Sequence, residues 1–487
     1  MNESLAGQDA GSAGRDSQAA LPLVLDVDGT LLATDLLDES FWAALGRDGP
    51  GTLAAVLRAL PDRARLKRAL AGRAALRFDL LPVREEVLAL ARQAAAEGRP
   101  VVLASAADEG LVRALAEALG LEARVMASDG RRNLKGPAKA AALIAEFGEG
   151  GFDYAGDSAA DLPVWRAARR AIVVGNRAAA RRLRAEGREV VELGRRWRLR
   201  DLVRALRPHQ WVKNVLLFLP LLAAQLFALG PWLMALAGAV AFSFGASAIY
   251  IVNDLLDLEA DRRHPTKRNR PFAAGRVPIR VGMATAGALA LVALGIGAAI
   301  GPAFLGVLVF YMVLSLAYSL RLKRARWVDV ATLATLYTLR AVAGAVAAEV
   351  PASGWLIAFI WPIFLTLGCV KRLTELTRAS GAERLPGRGY GRGDRDDLLN
   401  MAGLGTVAAL SVFLLYSFSD AAAALYPHRW LLWAAMVPMA GWLIRMIWLG
   451  WAGRQDYDPI LFAMRDRYGI SLLLFTLTLM LHAADRL

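Results

Sequence analysis

The chain has 487 residues, 56% of them hydrophobic, and a formal charge of +14, a length that suits two or three domains. The apolar content is uneven: residues 1–205 have the mix of a soluble fold, and the remainder is built of long apolar runs. The basic residues flank those runs, so anionic lipid, phosphate substrates and membrane topology account for the charge and nucleic acid does not. The single cysteine, Cys369, excludes an intramolecular disulfide.

Residues 1–19 are rich in Ala, Gly and Ser and are expected to be disordered. They lack the apolar core of a signal peptide, so the N-terminus is predicted to stay in the cytoplasm. Residues 21–26 (LPLVLD) then read as a buried parallel strand with acids at its carboxyl end. Comparable strands follow at 100–105 (PVVLAS), 153–157 (DYAGD) and 171–175 (AIVVG), separated by helical segments such as 85–97 and 136–147. That alternation predicts an α/β domain with a parallel sheet and a site at the carboxyl ends of its strands. The stretch between Thr34 and Leu81 is helical in pattern and is expected to form a small cap.

DVDGT (26–30), Ser105, LKGPAK (134–139) and GDSAAD (156–161), in that order, resemble the haloacid dehalogenase phosphatases over about residues 20–180. The resemblance implies a Rossmann-like α/β fold, with Asp26 as the nucleophile that forms an aspartyl-phosphate and Asp28 as general acid/base. Ser105 would hydrogen-bond the phosphoryl group and Lys139 would neutralise its charge, with Lys135 a rival for that role. Asp26, Asp157 and the Asp28 carbonyl would hold Mg²⁺, with Asp161 in support.

The phosphatase-like domain is assigned to residues 20–195 and a basic linker to 196–210, and six arginines between 195 and 207 precede Pro208. A surface helix with its arginines at headgroup level is expected there. Residues 211–487 read as an all-α polytopic membrane domain. Nine apolar spans are counted, near 212–229, 231–252, 281–299, 302–320, 328–348, 355–370, 401–418, 430–450 and 469–484. Some fall short of the ~20 residues of a full span. Loops after the second, fourth, sixth and eighth spans are rich in Lys and Arg. Those after the first, third and fifth have neither, and the seventh has only Arg429. The alternation predicts a multi-pass inner (plasma) membrane protein with its functional loops in the cytoplasm and its C-terminus outside.

The most informative of these loops follows the second span and reads SAIYIVNDLLDLEADRRHPTKRNRPFAAG (247–275). On a helix Asp254, Asp257 and Asp261 fall at i, i+3 and i+7 and share one face. Three like charges there need a cation between them, and Mg²⁺ suits that number of oxygen ligands together with substrate phosphates. Arg262, Arg263, His264, Lys267, Arg268, Arg270 and Arg276 follow and would grip the far phosphates.

NDxxDxxxD followed by HPTKRxRPxAAG resembles the UbiA-type intramembrane prenyltransferases. Within them it looks most like the branch that transfers phosphoribosyl to polyprenyl (decaprenyl) phosphate. RPHQWVKN (207–214) resembles that family's opening segment and would place Lys213 against a lipid phosphate. Where aromatic prenyltransferases of the superfamily present a second aspartate-rich motif, this chain has Tyr318, Arg321, Lys323, Arg324 and Arg326, with only Asp329 nearby. Such a basic cluster suits direct binding of a lipid monophosphate. Arg340 lies inside a span, where a guanidinium must find an acid or a phosphate. Lys371, Arg372, Glu375, Asp458, Arg465, Asp466 and Arg467 also resemble the branch.

The resemblance implies a bifunctional enzyme with Mg²⁺ in each domain. Phosphoribosyl pyrophosphate and polyprenyl phosphate would be its substrates and membrane lipid its surroundings. Asn253, Asp254, Asp257 and Asp261 would hold the metal. His264, Lys267, Arg268, Arg270, Lys213, Tyr318, Lys323, Arg340, Lys371, Arg372, Arg465 and Arg467 would bind substrate. A UbiA-type aromatic prenyltransferase and a transporter with a regulatory phosphatase domain are the alternatives. Polyprenyl length and any homo-oligomer are left open by the sequence.

Overall fold

The run at 21–26 is apolar throughout because its strand is covered on both faces. Leu23 and Leu25 enter one core with Val87, Leu88 and Ala91 of helix Glu85–Ala96 and Val112 and Leu115 of helix Glu109–Leu119. Val24 enters the opposite core with Val102, Tyr154 and Trp165. This is the signature of a parallel sheet between helical layers. The computed structural model describes residues 21–59, 62–129, 133–194, 196–351, 353–379, 385, 388–455 and 458–486. The expected disorder at 1–19 lies outside the described residues.

Six strands form the sheet: β1 (Leu23–Leu25), β2 (Val101–Asp108), β3 (Ala123–Ser128), β4 (Asp153–Gly156), β5 (Arg170–Val174) and β6 (Glu189–Leu193). All pairs are parallel, in the order β3-β2-β1-β4-β5-β6, with Leu23 in register with Val101 on one side and Asp153 on the other. The order turns back at β1 and β4, where a crevice opens outside the strands' carboxyl ends. Three helices, Leu36–Arg47, Gly49–Ala59 and Arg63–Ala74, occupy the stretch expected to form a cap. Two strands escape the sequence reading. β3 and β6 are edge strands whose half-exposed sides carry charged residues, so neither shows a continuous apolar run.

The chain divides into two compact units. One comprises 1–202 together with 254–281, so the acid-rich segment is part of the same unit as the α/β domain; the other comprises 203–253 and 282–487. Seven helices among the described residues are long and apolar enough to cross a membrane: Leu229–Leu256, Ile279–Ile300, Pro302–Leu320, Arg326–Ala347, Gly354–Arg378, Arg392–Ser417 and Trp430–Trp451.

Seven such helices stand where nine spans were expected, and the two expected spans without one are the first and the last. The last expected span is an apolar helix of 17 residues, Arg467–Ala483, at the lower end of the roughly 17–25 residues of a crossing. The first, 212–229, is not one helix. Residues Pro208–Phe218 form a 3₁₀ stretch, and a short helix, Leu219–Ala223, follows with Pro220 in its first turn. Lys213 and Asn214 are buried in this stretch, where polar partners hold them. The Leu217 backbone lies so close to Gly344 that a β-carbon there would overlap it. The segment is thus partly packed against the second unit's core, while Val215 and Phe227 stay exposed.

Candidate active sites

Asp26 follows β1 at the crevice, and its Oδ1 accepts a hydrogen bond from Lys139 Nζ at 2.7 Å. Lys139 projects from the first turn of helix Pro137–Phe147 and is buried. Its Nζ also donates to Tyr154 Oη (3.0 Å) and stands 3.7 Å from Asp161 Oδ1. Tyr154, on β4, donates to that same oxygen at 2.9 Å. Asp161 is fixed further by Ser158, whose N–H and hydroxyl both donate to its Oδ2. Lys135 lines the cavity, yet among the described residues it pairs with none of these acids. Geometry therefore favours Lys139 of the two rivals.

Asp28 is positioned by the N–H of Leu36, which donates to its Oδ1 at 2.8 Å. Ser105, fully buried on β2, reaches Asp28 Oδ2 at 3.4 Å and accepts from the Ala107 N–H at 2.9 Å. Between the two aspartates of DVDGT and Asp157, Gly29 adopts φ +78°, and a β-carbon there would run into the Asp157 carboxylate. Only glycine fits that turn.

Burial pushes the Asp26 carboxyl up to about 6 against the pull of Lys139, and Asp161 adds to the rise. Burial, then repulsion from Asp26 and Asp161, pushes Asp157 up to about 7. Burial and the charges of Asp35 and Asp26 hold Asp28 well above the usual carboxylate range. For Lys139, burial works downward but Asp26 and Asp161 outweigh it, and its pKa is raised. Ligand oxygens of Asp26, Asp157 and Asp161 lie within 4.8 Å of one another. Three carboxylates crowded this closely form an oxygen set that fits a hard divalent cation such as Mg²⁺.

The acid-rich segment differs from its expected form. Helix Leu229–Leu256 ends before Asp257, which stands at the N-cap of a second short helix, Leu258–Arg263. Asp254 and Asp261 nevertheless converge, because Arg270 Nη1 donates to Asp254 Oδ1 (3.1 Å) and Asp261 Oδ2 (2.6 Å). The cation demanded by these like charges is thus an arginine in this structure. Burial raises the Asp261 carboxyl, with Arg270 opposing it. Among the described residues these three carboxylates do not converge as a metal-holding group in the way Asp26, Asp157 and Asp161 do, and the place between Asp254 and Asp261 is taken by Arg270. His264, Lys267 and Arg268 are exposed.

Within the second unit, Lys213 pairs with Asp458. Arg340 is buried and donates to Asn214 Oδ1 (3.1 Å), the Leu336 carbonyl (2.6 Å) and Tyr311 Oη (2.8 Å). A second network centres on Asp329, which is fully buried. Arg372, equally buried, pairs with it and with Glu375; Tyr318 Oη donates to Asp329 at 2.9 Å, and Arg388 reaches it at 3.3 Å. Tyr318 and Arg372 are thereby brought together. Lys323 and Lys371 are half-buried, and Arg465 and Arg467 are exposed.

Sequence reasoning missed Asn214, Tyr154 and the acids of the first cap helix. Arg262, itself buried, clamps Glu39 through two bonds of 2.6 and 3.0 Å, and Arg280 pairs with Asp35 (2.6 Å) and Asp38 (2.9 Å). These partners are more than 220 residues apart in sequence, so no local pattern announces them.

The geometry defines a class: a phosphate-handling α/β hydrolase-type domain on a chain whose remainder is a multi-helix membrane protein. Residues 23–166 match the haloacid dehalogenase-like hydrolases and residues 215–473 the UbiA prenyltransferase family. The chain belongs to the UbiA prenyltransferase family and carries a haloacid dehalogenase-like domain ahead of it. It is 37% identical to uncharacterized protein y4nM of Sinorhizobium fredii over 92% of this chain and 88% of that one. It is 45% identical to the decaprenyl-phosphate phosphoribosyltransferase of Corynebacterium glutamicum, over 36% of this chain and 54% of the relative. A solved UbiA homolog from Archaeoglobus fulgidus aligns over 58% of this chain and 99% of its own, with 17% identity and a TM-score of 0.44.

Proposed function

We propose that this protein is a two-step lipid-modifying enzyme. Its membrane part transfers 5-phosphoribosyl from phosphoribosyl pyrophosphate to a polyprenyl phosphate. Its N-terminal domain then removes the 5-phosphate to give polyprenyl-phosphoryl-ribose. One observation carries this reading. A stretch 45% identical to a decaprenyl-phosphate phosphoribosyltransferase shares its chain with a phosphatase-type centre in which Lys139 holds Asp26 at 2.7 Å.

In the first step an oxygen of the lipid phosphate bonds to the anomeric carbon of the ribose, the bond from that carbon to the diphosphate breaks, and pyrophosphate leaves. The lipid phosphate is already anionic, so no strong base is required. Asn253, Asp254, Asp257 and Asp261 would hold Mg²⁺ here, a role that requires Arg270 to give up its bridge. The metal, when bound, supplies charge neutralisation for the leaving diphosphate. His264, Lys267 and Arg268 would bind its outer oxygens, and Lys213, Lys323, Arg340, Lys371, Arg465 and Arg467 would orient the two anions. The state of Asp329 supports this choice over an aromatic prenyltransferase. The acid nearest the expected second acidic motif is committed to Arg372, Tyr318 and Arg388.

In the second step Asp26 attacks the 5-phosphorus, the bond from phosphorus to the ribose oxygen breaks, and Asp28 protonates that oxygen. Water, giving its proton back to Asp28, then cleaves the aspartyl-phosphate and releases inorganic phosphate. Ser105 and Lys139 bind the phosphoryl oxygens. Asp26, Asp157 and Asp161, with the Asp28 carbonyl, would hold Mg²⁺. Both steps belong on the cytoplasmic face of the plasma membrane, by the loop charges. The test is the mass of the lipid product. Wild type should make polyprenyl-phosphoryl-ribose, and Asp26→Asn should stop at the species heavier by one phosphate. The same phosphorylated lipid from both proteins would refute the second step.

A further inference from the structure

The cavity above Asp26 measures about 1480 Å³, beyond the usual 300–1,000 Å³ of a small-ligand pocket and far more than one phosphoryl group needs. Its floor holds the catalytic acids and Lys139. Part of its wall is residues 274–280, from the segment that begins with Asp254, and Arg196, Arg198 and Arg200 line it as well.

The 274–280 wall is built in. Gly275, at φ +64°, packs so tightly that a β-carbon would stand 2.7 Å from the Ala33 β-carbon and 3.1 Å from that of Pro82. The Arg262–Glu39 and Arg280–Asp35/Asp38 pairs tie the same segment to the first cap helix. The basic residues of the cavity are not used equally. Arg280 is spent on Asp35 and Asp38. Arg196, Arg198 and Arg200 pair with no acid among the described residues. Arg276 spends one terminal nitrogen on the Asn269 carbonyl, while its Nε is buried without a partner. A buried guanidinium N–H with no acceptor is costly, and the set leaves an excess of positive charge on the wall of a site whose floor takes a phosphomonoester.

From this we infer that the hydrolase cavity has a second anion subsite, formed by Arg276 with Arg196, Arg198 and Arg200. Its substrate class is a sugar phosphate that carries a further phosphodiester. The inference rests on the phosphatase reading above and deepens it. The Asp26 centre receives the terminal phosphate, and the arginines receive the phosphodiester joining sugar to lipid. Arg276 is then a specificity residue that the acid-rich segment lends to the hydrolase.

The test uses the full-length protein in detergent and two soluble substrates: methyl riboside 5-phosphate, and an octyl-phosphoryl-ribose 5-phosphate that adds only the diester. Wild type should favour the second in kcat/KM by at least about tenfold, the scale of one or two charge-assisted hydrogen bonds. Arg276→Ala should erase most of that preference through KM on the diester substrate, with kcat little changed, and Arg276→Lys should restore part of it. An Arg198→Ala/Arg200→Ala double variant should lower the preference as well, which keeps the inference testable where Arg276→Ala fails to fold. Equal kcat/KM for the two substrates in wild type, or a preference that survives in both variants, overturns the subsite while leaving the 5-phosphatase reading intact. Hydrolysis of neither substrate overturns both.

Discussion

Lys139 offers the sharpest test of the hydrolase centre. Lys139→Met keeps most of the side chain and removes one positive charge 2.7 Å from Asp26 and 3.7 Å from Asp161. At an effective dielectric near 20 those separations correspond to roughly 6 and 4.5 kcal/mol of gross attraction. Desolvation offsets much of this, and breaking a buried pair typically leaves about 3–5 kcal/mol. Protonation limits the damage. Asp26 already sits at about 6 with the lysine present, so neutralising it at pH 7 costs only roughly 1.4 kcal/mol. The deficit should therefore be nearer 2 than 5 kcal/mol in chelator, larger at pH 8 than at pH 5.5, and visible as a lower Tm for the N-terminal unit. Catalysis has no such relief, because the cation would meet charge developing on the phosphoryl group. Loss of one such contact costs about 10²–10³ in kcat. The assay is Mg²⁺-dependent hydrolysis of a small phosphomonoester by wild type, Lys139→Met and Lys135→Met. Lys139→Met within threefold of wild type, or an equal loss in Lys135→Met, would refute the assignment.

Asp257→Asn should lower phosphoribosyl transfer at least about 100-fold by removing a proposed metal ligand; near wild-type label transfer from radioactive phosphoribosyl pyrophosphate would sink that role. A topology reporter fused after the last residue should be active only outside the cytoplasm, and one inserted between Arg388 and Arg395 only inside. Either opposite result changes the number of crossings. Asp153 is buried between Arg99 (2.6 Å) and Arg169 (2.8 Å); burial works to raise its carboxyl, but the arginines outweigh it and the net shift is downward. Its stabilisation is therefore present above about pH 4 and lost as pH falls through the lower folded value. Asp153→Asn should cut Tm by several degrees at pH 7, with the gap closing near pH 3, and a gap constant with pH would exclude the pairing as its cause.

What the sequence revealed and what it hid follow one physical division. Strands β1, β2, β4 and β5 were legible because a sheet covered on both faces demands continuous apolar runs, as LPLVL and AIVVG show. β3 and β6 lie at the edges and carry Arg124, Glu189 and Glu192, so periodicity fails there. The membrane helices were legible from length and hydropathy. The form of the 212–229 segment was hidden because apolar composition does not distinguish one continuous helix from a 3₁₀ stretch followed by a short helix; the buried Lys213 and Asn214 and the proline at 220 were the available warnings. The phosphatase-like motifs pointed to Asp26, Asp157 and Lys139 because the first two follow strands and the third stands in the first turn of a helix, and the structure brings these three to one crevice. Ion pairs such as Arg262–Glu39 had no signature at all, since their geometry exists only after folding.

The basic cluster after Asp261 also changes meaning once its partners are known. Seven basic or imidazole side chains in one loop read as a single phosphate grip, but the fold divides them. Arg262 is consumed by Glu39 and Arg263 by Glu259, while Arg270 neutralises the loop's own acids. His264, Lys267 and Arg268 stay exposed, and Arg276 lines the hydrolase cavity. Net charge therefore overstates how many cations are available to substrate. The distinction matters energetically. A buried clamp such as Arg262–Glu39 fixes the segment and is costly to break, whereas an exposed cation costs little to redirect to a ligand. A loop built this way can be rigid where it meets the cap helix and still present free cations elsewhere. Those two properties are what a segment needs if it is to hold a diphosphate in one reaction and wall the site of the next.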